Sequence, residues 1–165
     1  MGEKIFRNWT IYILLLSCIL AIILIPATAG ALMIRHAIGI DGIRLIDKAQ
    51  YDGMFNFFYQ GSLNNKSAFV VGYSSGDEAS IIDLAYKMYM HLYSNGIFYQ
   101  LGAVYIDEDN DDSEMGVSAA IGYEKKLSPH VVVGGAVKII AGVENPVTGD
   151  EDPLYHPVLN LIIAF

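Results

Sequence analysis

From residue 51 to the end of the chain, apolar side chains recur at every second position with no stripe of period 3.6, which predicts strands rather than helices. Residues 51–60 set Phe55, Phe57 and Tyr59 against Met54, Asn56, Phe58 and Gln60, and residues 67–74 set Phe69, Val71 and Tyr73 against Ala68, Val70 and Gly72. Residues 80–91 show the sharpest contrast. Ile82, Leu84, Tyr86, Met88 and Met90 face one way, and Asp83, Ala85, Lys87, Tyr89 and His91 face the other. The same alternation runs through residues 97–107, 115–125 and 130–142. In the last segment, 155–165, Pro157, Leu159, Leu161, Ile163 and Phe165 share one face. Turn residues separate these runs at 61–66, at Asn95-Gly96 and at Pro129.

An apolar alternation carried to a final aromatic is unusual for a water-soluble domain, whose last residues commonly fray and are polar. It suits a strand of a lipid-embedded barrel, where all backbone groups must pair and the outward face must be apolar along its length. Seven strands are counted above, whereas a bacterial single-chain barrel takes an even number. Residues 32–40 supply the eighth, with Ile34, Ile38 and Ile40 on one face and His36 among them. Gly39, Gly42 and the run 43–49 equally suit a short helix packed inside the barrel or across one end. The expected fold is therefore all-β: an eight-stranded, antiparallel, up-and-down transmembrane barrel.

With eight strands and both termini on one side, the connections sort by length. Residues 61–66, 93–96 and 127–129 are short and fall on the periplasmic side; 41–50, 75–79, 107–114 and 144–153 are mostly longer and fall outside. Charge sorts in the same way. Twelve of the chain's eighteen acidic residues lie in the last three outer loops, while Lys66, Lys125 and Lys126 flank the short turns. An acidic loop is ordinarily just a solvated loop. The sharper reading is that Asp107, Asp109, Asp111, Asp112, Glu151 and Asp152 meet the divalent cations that also bridge lipopolysaccharide phosphates. Calcium would bind weakly, because Asp112 stands where an EF-hand requires glycine and Ser118 where it requires a bidentate glutamate. No residue set identifies a metal site or a cofactor.

The inward face predicts a lumen. Asp83, Lys87, Glu124 and Lys138 would point into it from three strands, among Asn56, Gln60, Tyr89, Gln100 and Asn160. Isolated charges are too costly to bury, so two acids and two bases should form a paired network or line water. Gly72, Gly102, Gly116, Ala120, Gly122, Gly134 and Ala136 keep that narrow space from overfilling. Tyrosines near strand ends, among them Tyr59, Tyr73, Tyr105, Tyr123 and Tyr155, suit two aromatic girdles at the membrane–water boundary.

Composition and the N-terminus agree with export. Mean hydropathy is +0.38, with 53% apolar and 17% charged residues. Lys4 and Arg7 precede an apolar stretch, 11–25, broken only by Ser17 and Cys18; Pro26 ends it and Ala27-Thr28-Ala29 offers a cleavage site. Residues 1–29 therefore read as a signal peptide and 30–165 as the barrel. An uncleaved anchor and lipidation at Cys18 are the rivals; further apolar residues follow Cys18 where a lipoprotein would begin a polar tether. Cleavage would remove the chain's single cysteine, in keeping with an exported protein that has no disulfide framework. A net charge of −8 argues against nucleic acid as a partner.

Taken together, the signal segment, eight alternating segments, acidic outer loops and terminal Leu159-x-Leu161-x-Ile163-x-Phe165 resemble the small outer-membrane β-barrels of the OmpA, OmpX and opacity-protein kind. The resemblance covers residues 51–165 as a pattern. It implies a monomer in the bacterial outer membrane, with outer-membrane lipid and lipopolysaccharide as its surroundings. Leu161, Ile163 and Phe165 resemble the signal read by the barrel-assembly machinery, although Ile163 stands where an aromatic is frequent. Some such barrels deacylate lipid A through a His-x-Ser pair, but His36, His91, His130 and His156 are followed two residues later by Ile38, Tyr93, Val132 and Val158. No phosphate-binding loop or metal-ligand spacing is present, and Ser118 with His156 and a distant acid is too common a combination to count. The expectation is a non-enzymatic barrel with an envelope-structural or surface-interaction role. The alternatives are a narrow porin-like channel and a tethered lipocalin-like barrel binding an apolar ligand.

Overall fold

Eight antiparallel strands, each bonded to its neighbours in sequence and the last to the first, close into a barrel. The computed structural model describes residues 35–48, 53–77, 79–108, 113–145, 148 and 153–165. The strands are β1 (His36–Asp41), β2 (Phe55–Asn64), β3 (Ser67–Ser75), β4 (Ala79–Tyr89), β5 (Gly96–Glu108), β6 (Glu114–Lys126), β7 (Val131–Ala141) and β8 (Leu154–Ala164). A short helix, α1, spans Gly42–Ile46. It is far too short to cross a membrane, which says nothing about crossing by strands. The signal segment 1–29, Leu32, Ile34, Asp109, Asp111, Asp112, Glu151 and Asp152 lie outside the described residues.

Closure gives every strand a neighbour on each side, so none is a free edge strand. The short β1 pairs with only Phe58–Gly61 of β2 and Asn160–Ala164 of β8. The seam joins β1 to β8 from Ala37↔Ala164 to Asp41↔Asn160. Phe165 extends it. Its carbonyl accepts from the His36 amide at 3.1 Å, its amide donates to the His36 carbonyl at 2.8 Å, and the two rings stack with centroids 6.0 Å apart. The terminal aromatic is thus paired along its backbone, with its ring on the outer surface.

The first element departs from expectation. The segment 32–40, read as a strand, gives a strand only from His36 among its described residues, and that strand continues to Asp41. The short helix follows directly, so strand and helix occur in succession. Asp41 makes the switch: its extended backbone ends β1 while its carboxylate accepts from the Ile43 amide at 3.0 Å, a standard N-cap arrangement. A second departure is at 61–66, read as a loop. Only Asn65 and Lys66 lie between β2 and β3, with a register shift between Ser62 and Asn64. Gly61, which looked like turn punctuation, lies under the Phe69 ring of the facing strand; a Cβ there would come within 2.4 Å of it. β2 also starts at Phe55 and not at 51, with Gly53 and Met54 outside it; the remaining ends agree with the sequence reading to within one or two residues.

The two faces of the wall differ in kind. Outward lie Leu84, Tyr86 and Met88 of β4, Tyr99 and Leu101 of β5, Val117 and Ile121 of β6, Val137 and Ile139 of β7, and Leu159, Leu161 and Ile163 of β8, all exposed. Outward polar residues such as Ser80, Asp107 and Lys125 stand at strand ends. Inward, an apolar cluster of Met54, Ala79, Ile81, Val104, Ile106, Ile140 and Val143 closes the long-loop end. Two smaller clusters, Ala68–Tyr89–Tyr93–Phe98 and Ala37–Val132–Ile162, fill the inside towards the short turns.

Candidate functional site

Between those apolar layers lies the polar interior, and strand parity determines who enters it. On β4 the inward parity carries Asp83 and Lys87; on β6 it carries Glu124, on β7 Lys138 and on β8 His156. Lys87 and Glu124 form a fully buried ion pair. The second oxygen of Glu124 accepts from the Tyr89 hydroxyl at 2.7 Å, and Lys87 also donates to Gln60 at 3.1 Å. Gln60 closes the ring by donating to Tyr89 at 2.8 Å and to Ser94 at 3.3 Å. The Lys87 ammonium additionally lies 3.9 Å from the centre of the Phe98 ring, a favourable place for a cation.

A second centre forms around Asp83, which pairs with Lys138 through one oxygen and with Arg44 through the other, the latter at 3.2 Å. Arg44 belongs to α1 and is buried; it reaches into the barrel to donate to Ser74 at 2.6 Å as well. Asp41 anchors the root of that helix. Its carboxylate receives the His156 ring at 2.6 Å and the Leu159 amide at 3.1 Å, while its backbone exchanges two bonds with the Asn56 side chain. One aspartate thereby joins β1, α1, β8 and β2.

The sequence reading named Asp83, Lys87, Glu124 and Lys138, and the structure brings them together as two separate pairs, Lys87 with Glu124 and Lys138 with Asp83. It did not place Asp41, Arg44, Ser74, Ser94 or His156 inside. Parity alone could have found Asp41 and His156, which fall on the inward register of β1 and β8; nothing in the sequence pattern signals Arg44. With these additions the interior holds Asp41, Asp83 and Glu124 against Arg44, Lys87 and Lys138. The acids and bases balance, so the low-dielectric interior carries no net charge that would require ions to enter.

The space left over is small. A chamber of about 80 Å³ lies among Asp41, Arg44, Gln60, Asp83, Lys87 and Lys138, well below the range of about 300–1,000 Å³ typical of ligand pockets. It has room for a few waters. Among the described residues no three His, Cys, Asp or Glu side chains converge as metal ligands. Asp107 is exposed at the long-loop end of β5, apart from the interior centres. Leu161, Ile163 and Phe165 all point outward.

Arg44 is the residue through which α1 is held. Arg44→Ala should lower unfolding free energy by about 1–3 kcal/mol, the cost of lost hydrogen bonds to buried partners. A urea midpoint in lipid or detergent reads this, and a midpoint equal to wild type would show that the helix is not held by its arginine. The loss stays moderate because Asp83 keeps Lys138.

Comparison with known proteins finds no match to this chain among family models, curated proteins or solved structures. Fold and site therefore rest on the chain's own geometry. It is a small closed β-barrel of eight antiparallel strands.

Proposed function

We propose that this chain is a non-enzymatic barrel of the Gram-negative outer membrane, similar in kind to the OmpA, OmpX and opacity-protein barrels, and exported by a signal peptide at residues 1–29. Its role is envelope-structural or surface-interacting, exercised through acidic outer loops. One observation carries the reading: the barrel is inside out by the standards of water-soluble proteins. Charged residues are sealed inside in matched pairs, while leucine, isoleucine, valine, methionine and tyrosine cover the outside of the wall on strand after strand. Water-soluble monomers rarely expose apolar patches beyond about 300–600 Å², and a band carried around a whole cylinder exceeds that. Acyl chains are the solvent that such a surface suits.

The interior supports the non-conducting form of this reading. A chamber of only about 80 Å³, with an apolar cluster towards the long loops, favours a filled interior over an aqueous path or an apolar-ligand site. In Gram-negative cells expressing the full chain, the protein should fractionate with the outer membrane and migrate faster on gels before boiling than after. Recovery in the soluble periplasmic fraction would overturn the proposal. In planar bilayers the purified barrel should show no discrete conductance steps; regular steps would favour the channel.

A further inference from the structure

The two ends of the barrel differ in charge, and the end with the short turns has a composition of its own. Each of its three strand connections has one exposed leucine at or beside it: Leu63, next to last in β2, Leu92 between β4 and β5, and Leu127 between β6 and β7, at 48%, 59% and 59%. Beside them stand exposed cations. Lys66 follows Leu63, Lys125 and Lys126 precede Leu127, and Arg35 leads into β1, where its carbonyl accepts from the Ser62 amide at 3.0 Å. Arg35 and Lys66 therefore belong to one side of the rim, and Lys125 and Lys126 lie four strands further round. No acidic side chain is exposed among the described residues of this end. Glu124, the nearest in sequence, is fully buried and paired with Lys87, so it neutralises none of the rim cations. The opposite end exposes Asp77, Asp107 and Glu144.

From this juxtaposition we infer that the short-turn rim is a binding surface for anionic phospholipid headgroups, of the phosphatidylglycerol type, in the leaflet that it faces. The inference rests on the outer-membrane reading and adds to it which lipid the protein gathers at one end. The chemistry is that of an amphipathic boundary: exposed leucines suit the acyl edge, and ammonium groups on flexible stems at the same rim reach phosphates. A lysine near an anionic surface gains affinity that fades beyond a Debye length, so the effect is strongest at low salt. With no exposed acidic side chain beside them among the described residues, the cations are open to the lipid.

The test uses protein purified from the membranes of cells expressing the full chain, held in detergent micelles with equal phosphatidylglycerol and phosphatidylcholine, with retained lipids counted by native mass spectrometry at low salt. Wild type should retain phosphatidylglycerol in preference. The variant K66Q/K125Q/K126Q should lose at least about fivefold of that preference, roughly the worth of one lysine beside an anionic surface. K66R/K125R/K126R should keep the preference, and so should D107N at the other end. Faster migration before boiling confirms that each variant is folded. Equal retention of the two lipids by wild type, preference unchanged in the glutamine variant, or displacement of the lipid by equimolar inorganic phosphate would each overturn the inference. Failure to recover the protein from membranes would instead remove the outer-membrane reading, and the inference with it.

Discussion

Replacing Glu124 by leucine is expected to cost about 3–5 kcal/mol of unfolding free energy, the penalty for leaving one partner of a buried ion pair alone. Glu124 is fully buried, and its two oxygens hold Lys87 and the Tyr89 hydroxyl. Without it, Lys87 keeps the Gln60 carbonyl oxygen and the faces of the Phe98 and Tyr89 rings but no anion, in a space too small to hydrate an ammonium as bulk water does. Lys87→Met should cost a similar amount for the mirror reason, since Glu124 would keep only Tyr89. The double change K87M/E124L removes both charges, and the cost should then fall well below the sum of the two singles, because replacing a whole buried pair by apolar side chains of similar size is often neutral. Urea unfolding of the four proteins in one lipid or detergent system completes the cycle. Strict additivity would show that the two residues do not form one electrostatic unit.

The alternation that made the strands legible also made most of the interior legible, since in a closed barrel a single period of 2 decides who faces in. Asp83 and Lys87 are four residues apart on β4 and necessarily share a face; so do Leu84, Tyr86 and Met88 on the other. Pairing across the interior is a different matter. That Lys138 meets Asp83 while Lys87 meets Glu124 depends on strand tilt and barrel stagger, which no single segment encodes. Arg44 was hidden for a further reason. It stands on a five-residue helix with no strand parity of its own, and its partners Ser74 and Asp83 lie 30 and 39 residues away. Gly61 misled in the opposite sense. Its absent side chain makes room for Phe69 across the sheet, a packing role that resembles a turn signal when only the neighbours in sequence are visible.

The exterior supplies the sharper test of where this barrel resides, and the expected outcome there depends on depth. Leu101 lies near the middle of β5, faces outward and is 66% exposed. If acyl chains surround it, Leu101→Arg should destabilise the folded barrel by about 2–4 kcal/mol, the cost of an arginine at the bilayer midplane. Ile97 faces outward on the same strand, one residue from its short-turn end, and there the same change should cost about 0–1 kcal/mol, because the guanidinium can reach headgroups and water. Were the exterior washed by water, an exposed leucine exchanged for arginine would shift stability by no more than about 0.5 kcal/mol at either place. Urea unfolding in phospholipid vesicles, followed by the loss of the faster-migrating unboiled band, measures both variants side by side. A steep difference between the two depths is the signature of a hydrocarbon slab, since neither local packing nor strand propensity distinguishes two outward positions on one strand in that way. Equal and negligible costs would place both side chains in water and end the membrane reading.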